Sequence, residues 1–405
     1  MTGLLAERAF ARLWLAAFFS ETAEWMLQVA LPVFVFQHTG SATSTAASMV
    51  LGLLPAVALS PIAGVLADRW DRRVLLCAVC AGQAVVALPL LLADGLPLVY
   101  LVMAAQAGLA SLFEPARSAL VPELVGVERV TAANGLLSVN NSVARLIGSA
   151  LGGLLLGFGG LAPVLAAYLG ALLVAAALLA PRFAAAAARP VAARRTLVRE
   201  WLDGLAEIRR NRALRIAGVV LALTSLAQGM FLVLFVLFVL EALGGSEADV
   251  GLLRGVQAVG GLAAGLALAT VARRVPPARL LGWATAVMGL LSALIWNTAY
   301  LTTAVGVFAG LFAVVGAPGV MVGAGQLALV QTVTDPRRSG RVLSTAFAGM
   351  AMCQAVGMLL AGLLAGPIGL AALLDVQAAL LVAAGAIVLV TLAGRPRIAV
   401  AATMR

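Results

Sequence analysis

Lysine is absent from this chain of 405 residues, histidine occurs once and cysteine three times. Each scarcity removes a class of function. A membrane enzyme needs His, Cys or carboxylate groups gathered near one face, and His38 with the scattered Cys77, Cys80 and Cys353 supplies no such cluster. No disulfide framework and no metal site follow either. Cys77-x-x-Cys80 has the spacing of a redox pair, but inside an apolar helix these small residues read as packing. Charge is scarce as well, at 11% of residues, while apolar residues reach 63% and the mean hydropathy is +1.07. That excess is more than a soluble core can hide, and a polytopic membrane protein exposes it to lipid.

The net charge of +10 is made entirely with Arg, and its placement excludes a nucleic-acid footprint. Arg residues fall in alternate loops: Arg8 and Arg12; Arg69, Arg72 and Arg73; Arg117 and Arg129; Arg182 through Arg215; Arg273, Arg274 and Arg279; Arg337, Arg338 and Arg341; Arg395, Arg397 and Arg405. The intervening turns contain none. The positive-inside rule makes the first set cytoplasmic. Apolar segments long enough to cross a bilayer then predict twelve helices at 10–36, 43–67, 74–93, 97–117, 132–156, 162–181, 216–241, 249–271, 280–297, 301–326, 342–365 and 369–393, with both termini inside. The first is too long for a cleavable signal, carries Glu21 and Glu24, and lacks a small-residue cleavage site.

The chain divides into an N-terminal bundle of six helices (1–181), a linker (182–215) and a C-terminal bundle of six (216–405). In the linker Leu197, Trp201, Leu202, Leu205 and Ile208 recur at helical spacing among Arg residues. This reads as an amphipathic helix on the inner leaflet or a solvated tether. Ala119-Leu120-Val121 recurs as Ala328-Leu329-Val330, a faint echo between halves. Repeated halves are what alternating-access transporters use around a midplane site.

Gly64-Val65-Leu66-Ala67-Asp68-Arg69-Trp70-Asp71-Arg72-Arg73 packs charge into a turn between two apolar segments. It resembles the loop between helices 2 and 3 of major facilitator superfamily transporters, G-x-L-x-D-R-x-G-R-R. Asp71 stands at the second Gly, a departure similar to the macrolide-efflux and enterobactin-exporter branch. Helix 5 resembles the exporters' Gly-rich signature, G-x8-G-x3-G-P-x2-G-G. It matches at Gly135, Gly148, Gly152 and Gly153, with Ala144 for one Gly and Ser149 for the Pro. Small residues at this spacing let membrane helices approach closely, so a tight contact between the halves is expected. Ala104 stands where many proton-coupled exporters carry an Arg in helix 4.

The charges left inside the membrane are expensive there and mark a pathway or a pair. Glu21 and Glu24 lie on one face of helix 1, and Glu24 is about 18 Å deep, as Arg145 on helix 5 is about 17 Å deep, at 1.5 Å per residue. Their equal depth makes Glu24 and Arg145 candidate partners in proton coupling, with a purely structural pair as the alternative. The resemblance also implies an acidic residue eight positions before the helix 1 Pro, which Glu24 supplies relative to Pro32.

A conformational lock is expected at Gly64, Asp68, Arg69, Arg72, Arg73, Glu114 and Glu123. Asp68 would sit by Ser344, and an Arg of the loop would engage Glu114 or Glu123. Glu241, Arg254 and Asp375 read as outer-face residues, either gate latches or snorkelling side chains. The fold's cavity helices offer Trp25, Gln28, Gln106, Thr224, Gln228, Met230, Phe231, Phe235, Phe308 and Phe312, which suit a greasy ligand. Pro318-Gly319 offers a bend in helix 10.

The sequence is therefore identified as an all-α, twelve-helix major facilitator exporter of the inner membrane. The resemblance implies that it carries small amphipathic molecules of the drug or macrolide type, by proton antiport. A siderophore or lysophospholipid exporter of the same fold is the alternative. It is read as a monomer in the lipid bilayer, not an enzyme, with no cofactor beyond the proton gradient and no nucleic-acid partner. Two acidic groups and no Lys predict a neutral to negative site that prefers neutral or cationic cargo.

Overall fold

The computed structural model describes residues 2–59, 66, 70–92, 95–180, 212–270, 275–334 and 339–392. Gly64, Asp68, Arg69 and the linker through residue 211 lie outside them, as does the side chain of Ser344. After a short helix (Thr2–Ala6) come twelve long ones. The first six are α1 (Arg8–Thr39), α2 (Ala42–Leu51), α3 (Arg72–Ala87), α4 (Leu96–Val125), α5 (Val130–Gly159) and α6 (Leu161–Leu179). The second six are α7 (Arg212–Leu237), α8 (Glu247–Thr270), α9 (Pro277–Thr298), α10 (Val305–Val333), α11 (Ser339–Ile368) and α12 (Leu370–Thr391). Helix α2 is interrupted by a turn at Gly52-Leu53 and continues over 54–59.

Local chemistry sets the ends. Gly40, at φ 58°, terminates α1 with its N–H on the Phe36 carbonyl, a conformation that favours glycine. Ser41 then caps α2 through its hydroxyl to the Ser44 N–H at 3.2 Å. Asp71, the departure from the loop pattern, caps α3 by accepting from the N–H groups of Arg73 (2.9 Å) and Val74 (3.2 Å). Predicted boundaries are corrected at the end of α4 and at both ends of α10, which runs to Val333 rather than 326. Helix α4 does not stop at Arg117 but runs through Pro115 and Pro122 to Val125, beyond its apolar stretch. Helix α10 begins at Val305 rather than 301, because Tyr300 and Leu301 close turns on Asn297 and Thr298.

Eleven described segments are long and apolar enough to cross a membrane. The remaining long helix, α1, carries Glu21, Glu24 and Gln28 and turns much of its length inward. Side chains such as Phe158 (87% exposed), Leu101 and Val390 face outward instead, where lipid would cover them.

The packing repeats. Helix α1 packs on α5 and α6 as α7 packs on α11 and α12; α3 packs on α4 and α6 as α9 packs on α10 and α12. Between the halves α5 crosses α8 and α2 crosses α11, pairs that exchange under the same six-helix shift. The result is two pseudo-symmetric six-helix bundles.

Candidate functional site

The helix 5 glycines divide their labour. A Cβ on Gly148 would overlap the Thr22 carbonyl and one on Gly152 the Met26 carbonyl, so both serve the α1 contact inside the first bundle. Of the four signature glycines Gly153 alone faces the other half, against Glu247 and Gly251 of α8, joined there by Gly157 outside the signature, while a Cβ on Gly135 would meet nothing within 4 Å. The expected contact between halves is therefore narrower than the signature suggests. Its other face is Gly251-x3-Gly255 of α8, unrecognised in the sequence although the spacing is readable there. Gly251 lies on the Ser149 carbonyl and Gly255 on Leu146. Small residues on both helices allow this backbone approach, and Ser149 serves as one of them.

Hydrogen bonds join the two bundles at the arginine-poor end. The Thr43 hydroxyl donates to the Gly362 carbonyl at 3.0 Å across α2 and α11, and Gln37 donates to Glu247 across α1 and α8. At the arginine-rich end Arg72 forms an ion pair with Glu123 and also donates to the Ala119 carbonyl at 2.9 Å, pinning the start of α3 to α4.

Between the bundles lies a cavity of about 220 Å³. Its walls come from α1 (Trp25, Gln28, Val29, Pro32), α2 (Met49, Gly52, Leu53), α4 (Met103), α7 (Leu232, Phe235, Val236), α8 (Val250, Arg254) and α11 (Gln354, Met358). A smaller chamber of about 80 Å³ adjoins it inside the first bundle and shares Gln28, Gly52 and Met103 with it. Glu24, Gln106 and Tyr168 line that chamber. Tyr168 donates to Gln106 Oε1 at 2.9 Å, and Gln106 donates to the Gln83 carbonyl at 2.7 Å, so the chamber's polar wall is held in place.

Trp25, Gln28 and Phe235 thus line the main cavity and Gln106 the side chamber. Phe308 and Phe312 are fully buried behind them: Phe312 meets Phe235 edge-on at 5.3 Å, and Phe308 meets Phe238 at 5.6 Å. Phe231 packs against Phe235 at 5.5 Å, and Met230 is buried. Thr224 donates to the Val220 carbonyl and accepts from Gln326 at 2.8 Å, a bond within the second bundle. Gln228 is half-buried on α7. Met49 of α2 and Gln354 and Met358 of α11 also line the cavity and were not among the residues offered by the sequence.

The charges fall differently from expectation. Glu21, buried, pairs with Arg117, which also holds Glu114; Ser118 donates to Glu114 at 3.1 Å. Arg117 and Glu114 therefore bind α1 and do not engage the 69–73 loop through any described residue. Arg145 does not pair with either glutamate. Its guanidinium lies 5.6 Å from the Trp25 ring, and its Nε is buried with no hydrogen-bond partner. Among the described residues Glu24 accepts a single hydrogen bond, from Gln28 at 3.2 Å, and it faces the chamber. Arg254 is no surface latch: α8 starts at Glu247, so Arg254 is two turns in, at the cavity wall, over Phe231 (5.4 Å) and Phe235 (6.0 Å). Asp375 accepts from Asn297 at 3.2 Å, joining α9 and α12.

With Glu21 neutralised by Arg117, the two adjoining cavities are lined by one charge of each sign, Glu24 and Arg254. Cation–π contacts are worth about 0.5–2 kcal/mol, whereas an unpaired charge in the membrane interior costs several. The arginines' aromatic neighbours therefore do not offset their burial.

Arg117→Ala should lower stability by about 3–5 kcal/mol, because it strands the buried Glu21 carboxylate. Thermal unfolding in detergent measures it. The double change Glu21→Gln with Arg117→Gln should recover most of the loss, and an undiminished melting temperature for Arg117→Ala would show that the pair contributes nothing.

Among the described residues no group of three or more His, Cys, Asp or Glu is placed to hold a metal ion. Cys77 and Cys80 are free thiols, Cys77 against the Ala176 carbonyl and Cys80 against Ser20.

The profile described as Major Facilitator Superfamily matches residues 13–231. The chain is similar to macrolide efflux protein A of Streptococcus pyogenes, 24% identical over 89% of this chain and 90% of that one. It is also similar to the multidrug efflux pump Tap of Mycolicibacterium fortuitum, 32% identical over 32% of this chain and 34% of that one. In three dimensions it matches the crystal structure of a bacterial homologue of the iron transporter ferroportin with a TM-score of 0.69, at 18% identity, over 94% of this chain and 98% of that one. The two bundles, the cavity between them and the profile match together show a multi-pass membrane transporter, not an enzyme, and the chain belongs to the major facilitator superfamily.

Proposed function

We propose that this transporter exports small amphipathic molecules from the cytoplasm across the inner membrane by proton antiport, with the arginine-rich end and both termini cytoplasmic. The observation that carries the reading is the cavity between the bundles, walled by Trp25, Phe235 and three Met side chains, which opens onto a chamber holding an ion-pair-free carboxylate, Glu24. Aromatic and Met surfaces adapt to varied shapes and suit a loosely specified cargo. The efflux functions of the relatives support the direction of transport.

Glu24 is the proton carrier in this reading. Arg117 already neutralises Glu21, so one carboxylate remains to bind and release a proton as the cavity is exposed alternately to each side. The Arg72–Glu123 pair belongs to a lock at the cytoplasmic face, and the protein works as a monomer with no cofactor other than the proton gradient. Siderophore or lysophospholipid cargo is the second reading, favoured by Arg254 in the cavity wall.

Cellular accumulation of a panel of amphipathic compounds tests the function. Cells producing the protein should accumulate less of some panel members than cells without it, and a proton uncoupler should abolish the difference. Equal accumulation across a broad panel, or a difference that an uncoupler leaves intact, would overturn proton-driven export.

A further inference from the structure

Arg145 and Arg254 stand on opposite bundles at one level of the membrane. The residues following them, Leu146 and Gly255, meet at the α5–α8 crossing. The Arg145 side chain itself reaches across to the helix that carries Arg254: its guanidinium lies 3.9 Å from where a Cβ on Gly261 of α8 would stand. Among the described residues neither forms an ion pair, and Arg145 Nε has no hydrogen-bond partner of any kind. Glu21 is occupied by Arg117, and Glu24 hydrogen-bonds Gln28 within its own chamber. Two cations held together in an apolar interior without a counter-charge are costly, and the cost is relieved when an anion enters. Arg254 forms part of the cavity wall, and Arg145 lies directly behind Trp25, which is also wall.

From this geometry we infer that the central cavity recognises the oxyanion head, carboxylate or phosphate, of an amphipathic ligand. Arg254 contacts the head, Arg145 adds its charge from across the bundle interface, and Trp25, Phe235 and Met358 take the apolar body. A planar guanidinium suits such heads because it can donate two parallel hydrogen bonds to two oxygens. A ligand bridging the two arginines would also tie α5 to α8, joining binding to the relative position of the bundles. The inference rests on the transport reading for its location and narrows the cargo to acids.

Fluorescence titration of the purified full chain in a neutral detergent tests it, using a dansylated medium-chain fatty acid and its uncharged methyl ester. The acid should bind at least tenfold more tightly than the ester. Arg254→Gln should abolish that preference while leaving ester binding in place, Arg254→Lys should keep part of it, and Arg145→Gln should reduce it. Competition separates the sources of the anion: lysophosphatidate should displace the acid if a lipid head is accepted, whereas inorganic phosphate alone should compete weakly because it lacks the apolar body. Equal affinity for acid and ester in the unaltered protein would overturn the inference, and that comparison needs no variant to fold. An acid preference that survives intact in a folded Arg254→Gln protein would overturn it too. Binding is read without transport, so acid-selective binding in a protein that exports no compound would refute the exporter reading and leave the anion site standing.

Discussion

Glu24→Gln protein should bind cargo and exchange it down a gradient, yet export nothing uphill. Glu24 lies midway along α1, faces the side chamber and has Gln28 as its hydrogen-bond partner. Glutamine keeps the shape and the capacity to hydrogen-bond but holds no exchangeable proton, so the coupling step is removed with little change in packing. The loss should approach completeness in gradient-driven flux, a fall of about a hundredfold or more, which by the relation between rate and free energy is about 2.7 kcal/mol or more. Downhill exchange should remain within about a factor of three, less than 1 kcal/mol on the same scale. Glu21→Gln is the control. Its carboxylate is already committed to Arg117, so it should lower stability more than coupling. Uphill export by folded Glu24→Gln protein that remains sensitive to an uncoupler would transfer the proton to another group.

The second large effect is expected at the crossing of α5 and α8. Gly251 lies against the Ser149 carbonyl and 3.0 Å, measured from a Cβ added there, from the Gly153 Cα. Backbone on both sides leaves no flexible side-chain end to move aside, so Gly251→Val must push the bundles apart. Overpacking of this kind costs about 1–3 kcal/mol. In the proposed alternating-access cycle this interface re-forms at every turnover, so export should fall by at least about tenfold, which is about 1.4 kcal/mol or more on the rate scale. Spin labels at the exposed His38 and Ile368, at the arginine-poor ends of α1 and α11, should report a longer mean distance in the variant. Normal export by Gly251→Val protein would mean the crossing is not part of the moving interface.

The sequence made the fold legible because its strongest signal, apolar length punctuated by Arg, has a single physical source in the bilayer. Twelve segments and their alternating Arg loops were readable, and all twelve helices begin within four residues of expectation on both sides of the linker. Helix α4 was cut short at Arg117 because hydropathy marks where lipid ends, not where a helix ends.

The site was less legible. Glu21 and Glu24 stood out as charges in an apolar helix, but their partners did not, since depth along a helix leaves rotation about its axis undetermined. Arg145 and Glu24 share a depth yet point to different neighbours, whereas Arg117, counted among the loop arginines, reaches Glu21. Rotation also separates Phe235, in the cavity wall, from Phe312 directly behind it. Arg254 was misread for the opposite reason: its nearness to a predicted helix end suggested the surface, while the glycines beside it hold that face of α8 against α5.

Proton movement in proteoliposomes tests the account most directly. Purified protein is reconstituted with a pH-sensitive dye trapped in the lumen, and an amphipathic substrate found in the cellular panel is added to one side with no proton gradient imposed. Antiport through Glu24 predicts that substrate entering the lumen drives protons out, raising lumenal pH, and that Glu24→Gln protein carries the same substrate with no pH change. Substrate flux through the unaltered protein with lumenal pH constant would contradict proton antiport.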